Sequence, residues 1–185
     1  MLSSTKSGAI SISFAGEELA ARKKKVEKFL QFQLGKDKGL LWAEIVREII
    51  TVPESEILPV PQMPECVIGI YSWRSEMLWI VDLENLLGYH SPLLNSSANL
   101  SLMTMIVELD GQFLGLVVQD VNDIVEYDLQ AMQPPSLELF SGFLLPFILG
   151  HFTEVSTNQM LLLLQVETIF DYSLWGVNIA ILNES

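Results

Sequence analysis

From residue 29 onward the chain is dominated by short apolar stretches of β character. FLQFQL (29–34) alternates apolar and polar positions and runs into the turn GKDKG, the mark of a half-buried strand entering a hairpin. IVELDGQFLGLVV (106–118) places two such runs around Asp-Gly, a pair suited to the positive φ angles of a tight hairpin turn. VIGIYSW (67–73) and MLWIVDL (77–83) differ in being apolar at nearly every position, so both faces of each strand must be covered. A short polar knot, Arg74-Ser75-Glu76, separates them and predicts a hairpin tip. Residues 1–16 carry no pattern and read as a disordered arm. EELAARKKKVEKF (17–29) has acids first and bases last, which complements a helix dipole and predicts a short helix or turn leading into the first strand. SPLLNSSANLS (91–101) reads as a linker or crossover.

The stretches recur. FQLGKDKGLLWAEIVREII (32–50) aligns with VELDGQFLGLVVQDVNDIV (107–125) at an offset of 75, matching Leu34 with Leu109, Val46 with Val121, Glu48 with Asp123 and Ile49 with Ile124. CVIGIYSW (66–73) aligns with FILGHFTE (147–154), their glycines Gly69 and Gly150 lying 81 apart, and IVDLENLL (80–87) with LLQVETIF (163–170) at 83. The growing offset assigns extra residues to QPPSLELFSG and to the second hairpin tip. Two units of about five short strands predict two small antiparallel barrels or curled sheets. The inner strand faces fill each barrel; the outer faces need the sister barrel or another protein.

Size and charge narrow the classes. The chain has 185 residues, half of them hydrophobic, with a mean hydropathy of +0.37, enough for one domain or two small units sharing a core. Net charge is −13, unevenly placed: residues 1–74 balance at +1 and residues 75–185, with no Lys or Arg, at −14. Such acidity argues against nucleic acid and anionic lipid. It keeps an apolar protein soluble, and it also suggests an electrical polarity in which the second half meets a basic partner surface. The cluster Arg22-Lys23-Lys24-Lys25 reads as a solvated helix face. FSGFLLPFILGHF (140–152) is too short and too broken to span a membrane, and the N-terminus lacks a secretory pattern. A single cysteine, Cys66, excludes an intrachain disulfide and suits the cytoplasm.

Catalytic chemistry finds few parts. Two histidines, His90 and His151, with one cysteine do not make a zinc site. A Cys66–His151 nucleophile has no surrounding motif, and neither a phosphate-cradling glycine loop nor a nucleophile elbow is present. Asp120, Asp123, Glu126 and Asp128 lack the spacing of a calcium loop and read as solvent-facing acids. No cofactor or metal is expected.

The ordered motifs resemble the CheW-like family of chemotaxis adaptors. They run Phe32-Gln33-Leu34-Gly35, Val46-Arg47-Glu48-Ile49, Pro61-Gln62-Met63-Pro64, Gly69, Arg74 and Ile80-Val81-Asp82-Leu83, with a weaker echo at Val117–Val121 and Phe147–Gly150. The resemblance covers about residues 29–172. It implies an all-β fold with short helices, built as two tandem five-stranded SH3-like antiparallel β-barrels. The resulting division is an arm and short helix (1–27), a first barrel (28–90), a linker (91–100), a second barrel (101–172) and a C-terminal tail (173–185). It implies a cytoplasmic, non-enzymatic adaptor bridging a methyl-accepting chemoreceptor tip to a CheA-type histidine kinase, in chemotaxis, twitching motility or phototaxis. Val46, Glu48, Gly69 and Arg74 match family positions implicated in partner contact, and Arg47 adds a second positive point. The family's Asn-x-Arg-Gly tip is Ser72-Trp73-Arg74-Ser75 here, and the lost glycine predicts a differently shaped turn. Arg74 has two open roles, partner contact or an internal ion pair with Glu76 or Glu48. The alternative to an adaptor is a small-ligand or peptide-binding module with Trp42, Trp73 and Trp79 lining a groove between the barrels; those tryptophans read equally as packing, Trp79 above all.

Overall fold

The computed structural model describes residues 24–91 and 100–171. Most of the predicted arm, the linker interior and the C-terminal tail lie outside the described residues. Ten strands form two five-stranded sheets. In chain order they are β1 (Val26–Leu34), β2 (Asp37–Trp42), β3 (Val46–Pro53), β4 (Val67–Trp73), β5 (Glu76–Asp82), β6 (Ser101–Leu109), β7 (Gln112–Val117), β8 (Val121–Asp128), β9 (Ile148–Thr153) and β10 (Met160–Leu164). Two one-turn helices, α1 (Leu83–Leu86) and α2 (Val166–Phe170), follow β5 and β10. Residues 26–29, expected to end a helix, already belong to β1, because Phe29 is fully buried and pairs across to Trp42 and Val125.

Two five-stranded units are present as the repeat predicted, but the sheets do not divide the chain at residues 91–100. Sheet A has the order β8-β1-β2-β10-β9 and sheet B the order β3-β6-β7-β5-β4. Replacing each strand by its repeat mate converts one order into the other. Each unit is therefore the first hairpin of one half joined to the last three strands of the other, an exchanged pair rather than one barrel per half. The joins include two parallel pairings, β2 with β10 and β5 with β7, so the sheets are not wholly antiparallel. The registers keep the sequence offsets. Trp79 pairs with Leu114 and Leu162 with Gly39, positions related by 83 and 75. The β1–β8 pairing Phe32–Val121 and the β3–β6 pairing Val46–Val107 are likewise equivalent, and each stands at a bulge.

Each sheet curls shut by a two-bond bridge beyond its strands. Leu58 and Ile70 exchange backbone hydrogen bonds of 2.8 and 2.9 Å in sheet B, and Gln133 and His151 exchange two of 2.9 Å in sheet A. Alternate residues of the greasy strands then serve two cores. Leu78 and Ile80 fill the interior of sheet B, and Leu161 and Leu163 that of sheet A. Their neighbours Val81, Leu162 and Leu164 join Phe32, Leu34, Leu83, Met105 and Leu116 in one large core shared by the two sheets. The second covered face of these strands is thus the sister unit.

Candidate functional site

β3 begins after a three-residue 3₁₀ turn, Ala43–Ile45, and is bulged where its register shifts between Val46 and Glu48. A bulge adds an unpaired residue and re-aims the side chains around it. Here the extra residue is Arg47, which is exposed, while Val46 and Glu48 on either side are half-buried. Arg47 Nε donates to Glu108 on the neighbouring β6, and its Nη1 to the Glu44 carbonyl at 3.3 Å.

The β4–β5 hairpin brings the second group. Trp73 pairs with Glu76, so the loop is the two residues Arg74 and Ser75. Both have positive φ, 47° and 70°, the arrangement of a type I′ turn made without glycine. Two ordinary residues hold this conformation at a cost of roughly 1–2 kcal/mol each. Arg74 Nη2 lies 3.0 Å from Glu48 Oε2, Trp73 Nε1 donates to the same oxygen at 3.2 Å, and the guanidinium sits 4.9 Å above the Trp73 ring. Trp73 is braced in turn by Phe113, ring centroids 5.3 Å apart. Of the two internal partners considered for Arg74, the structure selects Glu48. The pair is open to solvent, with the Arg74 side chain 69 % exposed, so its share of stability is only about 0–1 kcal/mol.

Glu48 connects this tip to a shallow groove of about 200 Å³ lined by Leu30, Ala43, Val46, Arg47, Ile49 and Ile124 as well as itself. Ile49 and Ile124 are repeat mates on the two edge strands β3 and β8, and both are exposed. The groove therefore lies between the sheets, with an apolar floor and charged flank.

Four of the five residues singled out in the sequence meet here: Val46, Arg47 and Glu48 in the groove, and Arg74 through Glu48. Gly69 does not. It is buried, with φ of 152°, and a Cβ there would come within 2.3 Å of the Leu58 carbonyl oxygen. Its place is at the bridge that closes sheet B. Trp73, Ile49 and Ile124 belong to the site without having been chosen for it. The matched offset of Ile49 and Ile124 was visible in the sequence, but their meeting in one groove was not.

Other expectations change. Trp42, Trp73 and Trp79 pack on three different clusters and share no groove: Trp42 against Phe29, Trp73 near Phe113, and Trp79 on the core between sheets. Cys66 is buried, which pushes its thiol up to about 11 and keeps it protonated at neutral pH. Burial lowers the pKa of His151, which packs edge-on to Phe140. The strand exchange sets bases of the first half beside acids of the second: Lys28 of β1 lies 3.8 Å from Glu126 of β8, and Arg47 meets Glu108.

The CheW-like domain family matches residues 28–173 of the chain. Among solved structures, the scaffolding protein TtCheW from Thermoanaerobacter tengcongensis superposes with a TM-score of 0.63 at 22 % identity, over 75 % of this chain and 88 % of that one. No curated protein sequence matches significantly. No helix among the described residues is long and apolar enough to cross a membrane.

Proposed function

Because the chain belongs to the CheW-like family, we propose that it couples a methyl-accepting chemoreceptor tip to a CheA-type histidine kinase in the cytoplasm, serving chemotaxis, twitching motility or phototaxis. Proteins of this family are scaffolds without enzymatic activity, and the chain is one of them. The observation that carries the coupling role is the bulged edge strand β3, which presents Val46, Glu48 and Ile49 to one groove beside the Arg74 tip. An amphipathic helix offers what such a groove accepts, a row of apolar side chains with charges along its flank. Ile49 and Ile124 would seat the apolar row. Arg74 would exchange part of its contact with Glu48 for a partner carboxylate, at small cost because the pair is solvated. An adaptor also needs a second surface. Leu137, Leu139 and Phe143, exposed on the segment inserted only in the second repeat, supply one outside the groove.

The test is Arg74→Glu, measured by calorimetric titration against a receptor-tip fragment and against the kinase regulatory domain. The unfolding free energy should change by less than about 1 kcal/mol, while affinity for one partner should fall on the order of tenfold or more. Normal binding to both partners, or an unfolded variant, would remove Arg74 from the contact surface.

A further inference from the structure

The Arg74 tip holds its guanidinium without spending it. Arg74 Nη2 stands 3.0 Å from Glu48 Oε2, but the contact is an ion pair only: among the described residues the Arg74 side chain donates no hydrogen bond. Arg47 differs, donating through both Nε and Nη1. The oxygen that Arg74 faces is held by another donor, the Trp73 indole Nε1–H at 3.2 Å. The same indole lies under the guanidinium, 4.9 Å from cation to ring centroid. It is half-buried and wedged against Phe113, ring centroids 5.3 Å apart. One side chain therefore fixes both members of the pair, the acid by its edge and the cation by its face. A carboxylate left to itself tends to meet an arginine through two parallel N–H···O bonds, which occupy a whole donor edge of the fork. With Oε2 tied to the indole, Glu48 orients Arg74 by charge and leaves that edge open.

The second copy closes its sheet without such an arrangement. The repeat mates of Trp73, Phe113 and Glu48 are Glu154, Lys38 and Asp123, and Asp123 accepts from the Ile124 amide instead. The indole clamp thus belongs to the one tip that carries an arginine.

We propose that Trp73 is a positioning residue for Arg74: it holds Glu48 away from the hydrogen-bonding edges of the guanidinium, so that Arg74 receives a partner carboxylate through two N–H bonds. This rests on the coupling role proposed above and narrows the partner. The charged flank of the docking helix carries Asp or Glu where it crosses the β4–β5 tip. The guanidinium is already seated on the indole before the partner arrives, which lowers the ordering cost of the contact.

A mutant cycle in the full-length protein, read by calorimetric titration against the receptor-tip fragment and the kinase regulatory domain, tests the role. Trp73→Phe keeps a ring against Phe113 and beneath Arg74 but removes the N–H. It should weaken whichever complex Arg74→Glu weakens by about fivefold, because Glu48 is then free to take Arg74 in a two-bond pair. In an Arg74→Ala background the same substitution should change affinity by less than about twofold. A tryptophan that merely packs the hairpin would lose the same factor in both backgrounds, and equal losses overturn the role. Arg74→Lys keeps the charge and drops the two-donor edge, and should weaken binding on the order of tenfold; affinity equal to wild type overturns the carboxylate assignment. Should Trp73→Phe fail to fold, the free protein still decides. The assigned Trp73 indole N–H resonance should shift in Glu48→Ala while those of Trp42 and Trp79 stay in place, and an unmoved Trp73 resonance overturns the role. Wild type that binds neither fragment removes the coupling role and this one with it, whereas binding without coupling between Trp73 and Arg74 removes this one alone.

Discussion

The two last hairpins of the repeat, β4–β5 and β9–β10, occupy equivalent places in their sheets and end differently. The first closes in two residues, Arg74 and Ser75, both in the left-handed region. The second is longer by two residues, closes through Glu154–Gln159 and Asn158–Glu154 backbone bonds, and carries the fully open Val155 at its tip. At the first tip Trp73 and Arg74 converge on Glu48. At the second, the equivalent of Glu48 is Asp123, whose side chain accepts from its own neighbour, the Ile124 amide. The same scaffold thus carries a charged, aromatic tip with two consecutive left-handed residues on one side and, on the other, a longer loop with one, Asn158 at a φ of 55°, a residue type that tolerates it. Strain at a tight turn persists where surrounding contacts hold it and tends to collect at functional sites, so the asymmetry marks the first tip as the specialised one.

Four substitutions, in three tests, probe that comparison. The largest effect is expected at the closing glycines. A Cβ at Gly69 meets the Leu58 backbone at 2.3 Å in a conformation unfavourable to L-residues, whereas at Gly150 its nearest neighbours are atoms of the flexible Met132 side chain at 2.6 Å. Gly69→Ala should cost about 3 kcal/mol in a denaturant titration, and Gly150→Ala clearly less. Equal losses would show that both sheets close under the same constraint.

Next is the turn itself. Ser75→Gly satisfies a φ of 70° without a Cβ and should raise stability by about 1 kcal/mol, read as a higher denaturant midpoint at unchanged slope. No gain would mean that the tip is not strained in solution.

The smallest effect concerns the bridges. His151 in sheet A stands where sheet B has Ile70. Burial lowers its pKa below the usual 6.5, and its Nδ1 lacks a partner among the described residues. The unfolded chain then binds the proton more readily. Its contribution to stability is present above about pH 6.5 and declines as pH falls toward the folded pKa. His151→Ile should flatten that slope in unfolding curves taken between pH 7 and 5, while an unchanged slope would assign it to other groups.

Much of this architecture was legible along the chain. The offsets of 75, 81 and 83 are kept by the strand registers, down to the bulges. The Asp-Gly turn is where its residues required, with φ of 51° and 78°. Val46, Glu48 and Arg74 were picked out by motif and Arg47 by its charge, and the four lie together around one groove and tip. Gly69 was grouped with them because a motif marks a position without distinguishing a surface contact from a backbone approach. Trp73 was assigned to packing or to a ligand groove, because an indole N–H finds its acceptor only when a distant strand supplies one.

Strand number, the hairpin turns, the repeat offsets and the need to cover two faces follow from local pattern, since the period of two and the turn residues act within a few positions. Which copy each strand joins does not, because an apolar face is equally buried against its own half or its sister. The tertiary structure made that choice, and the choice distributed the charges. It set Lys28 beside Glu126 and Arg47 beside Glu108, and it brought Ile49 and Ile124 from separate repeats into one groove.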